Sequence, residues 1–334
     1  MLPTSSNRYT LLDRIGIGYV LLFALWFVLR LVYFDYLWWL ALLNASAFFL
    51  FLPFVVLLPL ALWKRRPRLL IALIVPLAIF GWLFGDLLLP RGQAVNPTGP
   101  TITVASFNVL WTNQDYARIA ESVRAAGPDI VAFQELRPEH LPAIRARLGD
   151  AFPYHAIYPV EQFHTVGMIS RFPIESVTPL ADPSLDRALL VRVRVGERPL
   201  AVIVAHLTRM DIFEDGVFKI AEAVDEYYAL REQQVAALLS AVRDTGSPTI
   251  ILCDCNLTDT SEGYATLRAN LTDSFAKAGW GLGLTARISL LGTPIQRIDY
   301  IWHSADLQAI NAWVGTDGGS NHFPVIAQLT WPNP

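Results

Sequence analysis

The chain has 334 residues, of which 53% are hydrophobic and only 16% charged, with a net charge of −3. Soluble domains carry about 25% charged residues, so this composition excludes a disordered chain and fits an ordinary soluble enzyme badly. Two cysteines exclude a disulfide-framework miniprotein.

The charge is unevenly spread. Residues 1–95 hold eight basic and three acidic residues, net +5, whereas residues 96–334 hold eighteen and twenty-six, net −8. The apolar surplus lies in three segments of the first part. Ile15–Phe34 carries one charge, Arg30; Tyr36–Trp63 carries none; Leu69–Leu89 carries one, Asp86. About 20 apolar residues cross a bilayer core as a helix, and only helices or closed barrels satisfy the backbone there. The pattern therefore predicts a membrane anchor over 1–90 with three transmembrane helices, at about 15–34, 37–63 and 69–89. Trp38, Trp39, Trp63, Tyr33 and Tyr36 lie near segment ends, as interfacial aromatics do. Pro53, Pro59 and Pro76 are expected to kink these helices. Two further segments and no small-residue cleavage site argue against a secretion signal.

Lys64, Arg65, Arg66 and Arg68 separate the second and third segments, and Arg8 and Arg14 precede the first. Basic loops stay in the cytoplasm. That predicts a multi-pass protein of a bacterial-type cytoplasmic membrane, with a cytoplasmic N-terminus and everything beyond Leu89 extracytoplasmic.

Residues 91–100, RGQAVNPTGP, read as a linker. Beyond it, over 101–334, short apolar runs of the kind covered on both faces predict strands at Thr101–Asn108, Asp129–Gln134, Val166–Ser170, Ala188–Val195, Leu200–His206, Thr249–Cys255, Ile298–His303 and Val325–Leu329. Helices are predicted at Tyr116–Ala126, His140–Arg147 and Val217–Val242. Cys253 and Cys255, at i and i+2 on one strand, are poorly placed for an unstrained disulfide and are expected to be reduced and buried. His140 is expected on a surface helix, His155 and His303 as strand residues, and His164 near a cleft. Met210–Tyr228 reads as a lip or an amphipathic helix packing inward.

Polar residues recur where these apolar strands end: Asn108, Glu135, His206, Asp254, Asn256, Asp299, Asn321 and His322. Polar groups just past buried strands are where a fold exposes chemistry. Carboxylate and amide oxygens suit Mg²⁺ or Mn²⁺, and a histidine suits a phosphoryl oxygen. No Walker loop, Gly-x-Ser-x-Gly elbow or His-Glu-x-x-His helix is present.

This ordered set resembles the endonuclease/exonuclease/phosphatase superfamily, with local support from Gly167–Ile174 (GMISRFPI), His206–Leu207 and the stretch bearing Arg231 and Gln234. The resemblance covers about residues 101–332. It implies an α/β fold, the four-layer αββα sandwich of deoxyribonuclease I, and a metal-dependent hydrolase of phosphoric ester or pyrophosphate bonds. By position it implies Glu135, Asn108 and Asn321 toward Mg²⁺ or Mn²⁺; Asp254 on the attacking water; His322, oriented by Asp299, on the phosphorane; and His206, Asn256, Asn108 and Arg171 toward phosphate. The family usually has Ser-Asp-His where this chain has Ser320-Asn321-His322, so a charge is missing and weaker or single-metal binding is expected.

An anchor before such a domain resembles bacterial membrane members of the VanJ type, which implies a lipid-linked phosphate or pyrophosphate met at the lipid bilayer. Nucleic acid is the second substrate class, disfavoured because residues 96–334 are acidic and hold just two lysines, Lys219 and Lys277. A non-catalytic membrane binding module is the alternative from a different class.

Overall fold

The computed structural model describes residues 9–89, 99–158, 165–209, 219–287 and 292–332. It divides into two compact units, with the boundary between Asp86 and Leu87.

The first unit is helical. Helix α1 (Leu11–Tyr33) opens on a capping box in which the Asp13 amide donates to Thr10 Oγ1 and the Thr10 amide to Asp13 Oδ2. Helix α2 (Trp38–Ala45) gives way to a 3₁₀ turn at Ala47–Phe51 and helix α3 (Leu52–Trp63), and the path bends by 71°. The expected second helix is thus broken, and not at a proline. Pro53 sits in the first turn of α3, where its missing N–H costs nothing. The break follows Asn44, whose buried amide accepts from Trp26 Nε1 (3.1 Å) and donates to Phe34 O (3.0 Å) and Asp35 Oδ1 (2.8 Å). Helices α4 (Pro67–Ala72) and α5 (Ile74–Leu88) complete the unit.

Packing fixes the course of these segments along α1. Asn44 meets Trp26 in the C-terminal half of α1. Leu57, Ala61, Leu69 and Leu73 cluster with Val20, and Arg66 lies 3.6 Å from Asp13 at its N-terminal end. Trp82 then returns to Phe27, ring centroids 5.4 Å apart. Helix α1 and the Pro67–Leu88 stretch are each long and apolar enough to cross a membrane; the bent Trp38–Trp63 stretch makes a third if it is one span.

The second unit holds two six-stranded sheets. In chain order its elements are β1 (Thr101–Asn108), α6 (Tyr116–Ala126), β2 (Ile130–Leu136), α7 (His140–Leu148), β3 (Tyr154–Tyr158), β4 (Thr165–Ser170), β5 (Ile174–Pro179), β6 (Ala188–Val195), β7 (Arg198–His206), α8 (Ile220–Thr245), β8 (Thr249–Asp254), α9 (Glu262–Asn270), β9 (Thr272–Asp273), α10 (Ser274–Ala278), β10 (Ala286–Arg287), β11 (Pro294–Gln296), β12 (Asp299–His303), β13 (Gln308–Val314) and β14 (Val325–Thr330). The first sheet runs β13-β14-β1-β2-β4-β3 and the second β5-β6-β7-β8-β12-β9. Each has one parallel pair at its centre, β1 with β2 and β7 with β8. A parallel pair needs a crossover, and α6 and α8 supply them. Residues of α6 and α7 pack on one face of the first sheet, and residues of α8 and α9 on one face of the second. The sheets meet on their other faces: Gln134 Nε2 donates across to Leu252 O at 3.4 Å. This is a mixed α/β sandwich.

Strands that the apolar pattern did not single out are short or solvated. Strand β5 has no fully buried residue, and β9 to β11 span two or three residues each. Two expectations are corrected. His140, expected on a surface helix, is fully buried and stacks edge-on against Tyr116 (5.4 Å), because α7 turns its first residues onto α6. Cys253 and Cys255, expected to be reduced, are joined as a disulfide. Strand β8 ends at Asp254, and the turn brings the two Cα atoms to 5.1 Å, inside the range a disulfide spans. His155 and His303 are strand residues, on β3 and β12. His164 and residues 210–218 of the expected lip lie outside the described residues.

Candidate active site

The topology sends six polar ends to one rim. The central parallel strands end at Asn108 and Glu135 in one sheet and at His206 and Asp254 in the other. Asp299 opens β12, antiparallel to β8, directly opposite Asp254; His322 precedes β14, antiparallel to β1. Face-to-face packing of the sheets then closes the cluster. Asn108 Nδ2 bridges it, donating to Glu135 Oε1 (3.0 Å) and Asp254 Oδ2 (2.8 Å). His206 Nε2 lies 4.0 Å from Glu135 Oε1 and 3.7 Å from Asp254 Oδ2. His322 Nδ1 is 2.8 Å from Asp299 Oδ2 and 3.9 Å from Asp254 Oδ2. Asn256 donates its amide to Asp254 Oδ1 (3.2 Å) and its side chain to Leu207 O (2.9 Å).

The backbone is strained here. Leu110, Glu135 and Asn256 all have positive φ, at 63°, 56° and 49°. Each such non-glycine conformation costs about 1–3 kcal/mol and persists where surrounding structure enforces it, most often at functional sites. Glu135 also lies in the irregular stretch of register between Phe133 and Leu136 against β4. That distortion re-aims its side chain.

Burial sets the protonation states. Asp254 is pushed up to about 7 by desolvation first, then by the Asp299 charge and to a smaller extent Glu135; His322 and the Asn108 hydrogen bond oppose this. Burial alone would lower His322, but the charges and hydrogen bond of Asp299, with Asp254, outweigh it and raise the imidazole to about 9. Near pH 8 this leaves an ionised carboxylate able to take a proton beside a charged imidazole able to hold an oxyanion.

Glu135, His206 and Asp254 each offer a ligand atom, all within 4.8 Å of one another. One or two carboxylates completed by water and substrate oxygens suit Mg²⁺ or Mn²⁺, whereas an imidazole is the more usual ligand of later transition metals. The donor set therefore fits a divalent ion. That places His206, expected at phosphate, among the candidate ligands. Asn108, expected toward the metal and phosphate, lies in the cluster as a bridge: its side-chain oxygen accepts the Leu110 amide (2.9 Å) and its nitrogen donates to the Glu135 and Asp254 carboxylates. Asn321 shares the His322 loop, its side-chain oxygen 3.4 Å from Ser320 Oγ.

Arg171 is not brought to the cluster. It follows β4, which runs antiparallel to β2 with Ser170 opposite Ile130, and its guanidinium lies 3.7 Å from Asp129. Ile130 begins the strand that Glu135 ends, so at about 3.3 Å per residue Arg171 sits at the far end of the sheet.

Other residues hold the site without having stood out in the sequence. Ser320 Oγ donates to Asn108 O (2.7 Å) and accepts the His322 amide (3.0 Å). Arg287 binds Ser320 O and pairs with Asp317. Thr285 Oγ1 accepts the Asp299 amide (3.3 Å). Buried Arg297 joins Asp259 and, at 2.6 Å, Asp273. Arg297 stands two residues before Asp299 in the string RIDYIW, and that adjacency was the available signal. Gln234 accepts the Thr208 amide (3.1 Å), fixing the chain after His206. A Cβ at Gly167 would meet the Leu136 methyl at 2.7 Å and the Ala156 carbonyl oxygen at 3.1 Å, so the strand has little room for a side chain there.

Comparison with known proteins agrees with this geometry. The family model described as "Endonuclease/Exonuclease/phosphatase family" matches residues 105–322. No curated protein matches. Among solved structures, the chain is similar to an endonuclease/exonuclease/phosphatase family protein from Bacteroides thetaiotaomicron, with 17% identity and a TM-score of 0.56 over 71% of this chain and all of that one. It is also similar to humanized D. rerio TDP2, with 14% identity and a TM-score of 0.56 over 69% and 99% of the two chains. The human Nocturnin catalytic domain with bound sulfate anion gives 19% identity and a TM-score of 0.52 over 70% and 94%. At these identities the solved structures speak for the fold, while the family match covers well over half the chain and spans Glu135, His206, Asp254, Asp299 and His322. The chain belongs to the endonuclease/exonuclease/phosphatase family of metal-dependent hydrolases that act on phosphate esters.

Proposed function

We propose that this protein is a membrane-anchored phosphoesterase that hydrolyses a lipid-linked phosphate or pyrophosphate outside the cytoplasm. The observation that carries the reading is the occurrence, in one chain, of this buried carboxylate–histidine cluster and of apolar helices long enough to cross a bilayer. An enzyme tethered at a bilayer meets its lipid head groups at high effective concentration. The acidic balance beyond residue 95 and its two lysines weigh against nucleic acid.

The side of the membrane follows from the number of crossings. The path from Asn44 beside Trp26, through Arg66 beside Asp13, to Trp82 beside Phe27 supports three passes along α1. With Lys64, Arg65, Arg66 and Arg68 in the cytoplasm, three passes put the second unit outside. The Cys253–Cys255 disulfide suits an oxidising compartment.

In the reaction, Glu135 and His206 would hold the divalent ion, which when bound supplies positive charge to the phosphoryl and leaving-group oxygens, and Asp254 is kept as the base. Asp254 accepts the proton of the attacking water as its oxygen bonds to phosphorus. His322, charged and held by Asp299, donates a hydrogen bond to the developing oxyanion. The bond from phosphorus to the leaving oxygen breaks, that oxygen takes its proton from solvent water, and the proton held on Asp254 is returned to solvent. Phosphate release from undecaprenyl pyrophosphate by the detergent-purified full-length protein with Mg²⁺ tests the reading, with Glu135→Ala as control. Release that the variant loses is expected. No release from an intact, metal-binding protein overturns the lipid-phosphate assignment and returns phospholipid diesters, nucleic acid and a binding role to consideration.

A further inference from the structure

A phosphate entering the cluster faces three carboxylates, Glu135, Asp254 and Asp299. An arginine stands opposite His206. Strands β6 and β7 are antiparallel, with Ala188 opposite Ala205, and the ladder continues one step further: the His206 amide donates to Arg187 O at 3.0 Å. Residues opposite each other on an antiparallel pair share a face of the sheet, with Cβ atoms about 4.5–5.5 Å apart, and successive pairs alternate faces. Ala188 and Ala205 pack with residues of α8. The next pair, Arg187 and His206, therefore takes the face toward the other sheet, where His206 Nε2 lies 4.0 Å from Glu135 Oε1 and 3.7 Å from Asp254 Oδ2. Gln234 ties the two chain ends together beyond the ladder, donating to Ser184 O at 2.8 Å and accepting the Thr208 amide at 3.1 Å.

We infer that Arg187 is a phosphate-binding residue of the active site, its guanidinium holding a non-bridging oxygen of the phosphoryl group on the His206 side. The inference deepens the phosphoesterase reading and rests on it. The Arg187 side chain is 24% exposed, and its buried Nε has no hydrogen-bond acceptor among the described residues. Its ion pair is with Asp186, the preceding residue, 3.6 Å away on a side chain that is 71% exposed. Exposed pairs of this kind hold weakly, so a phosphate displaces Asp186 readily. A buried N–H without an acceptor is unfavourable, and a phosphate oxygen relieves it. The guanidinium fork also matches two phosphate oxygens at once. Three other arginines of this unit are committed elsewhere: Arg287 to Asp317 and Ser320 O, Arg297 to Asp259 and Asp273, and Arg171 to Asp129.

The test is equilibrium binding of inorganic phosphate to the full-length protein in detergent, at fixed excess Mg²⁺, by calorimetry. The wild type is expected to bind. Arg187→Ala should bind about 10- to 100-fold more weakly, the scale of one charge-assisted hydrogen bond. Arg187→Lys should fall between the two, as a point charge without the fork. Millimolar guanidinium ion should restore part of the affinity of Arg187→Ala, which lost packing would not allow. Arg187→Gln, which keeps most of the aliphatic stem, repeats the measurement with the same outcome expected if thermal unfolding shows that Arg187→Ala does not fold. Unchanged affinity in the folded variant overturns the inference. So does a loss that neither lysine nor guanidinium repairs, or a wild type that binds no phosphate. Because binding is read without turnover, the expected losses of affinity together with no lipid hydrolysis by the wild type condemn the proposed reaction and leave this inference standing.

Discussion

Replacing Asp299 with Asn tests the electrostatic logic of the site with almost no change in shape. Asp299 is buried, its Oδ2 is 2.8 Å from His322 Nδ1, and its backbone is held by Thr285. His322 stands at about 9, against an ordinary 6.5. Asp299 is the largest favourable contributor, with Asp254 next, while burial pulls the other way. The sign follows directly. The protonated form is the active one, so activity is lost as pH rises through the imidazole's value. Without the Asp299 charge that value falls; a fall from about 9 by one pH unit would take the protonated fraction at pH 8 from about nine-tenths to about one-half. The assay is the pH profile of kcat from pH 5.5 to 10 with bis-p-nitrophenyl phosphate and Mg²⁺. The alkaline limb of Asp299→Asn should move down by at least one unit. A limb that does not move from its wild-type position, whatever the overall loss of rate, refutes the assignment of His322 as the charged group.

Three further outcomes are expected. Asn108→Ala removes the bridge between Glu135 and Asp254 and should lower kcat by about 10²-fold, the scale of one lost preorganised donor, while raising the Mg²⁺ concentration needed for half-activity; an unchanged metal requirement would contradict the bridging role. His140 is fully buried, neither ring nitrogen has a hydrogen-bond partner among the described residues, and burial lowers its proton affinity. The unfolded chain then binds the extra proton first, so stability falls as pH drops below about 6.5; His140→Phe should flatten that fall in thermal unfolding between pH 7.5 and 5.5. Thiol titration of the denatured protein should find no free cysteine before reduction and two after it, as the Cys253–Cys255 disulfide requires.

The sequence by itself determined the division into an apolar basic part and an acidic α/β part, because membrane-length apolar runs and continuous buried strands leave composition signals that need no partner. It also determined the chemistry at the strand ends. Asn108, Glu135, His206, Asp254, Asp299 and His322 stand out because a polar residue closing an apolar run is conspicuous in one dimension. Only the tertiary structure decided which of these groups touch. Asn108 meets Asp254 across 146 residues because two sheets pack face to face, and that contact makes it a bridge between the sheets. Arg171 was drawn to the site by its local string and is carried away by the antiparallel register of β4. The break at Asn44, the burial of His140 and the pairing of Cys253 with Cys255 likewise depend on neighbours distant in sequence or on a turn the alternation pattern does not encode.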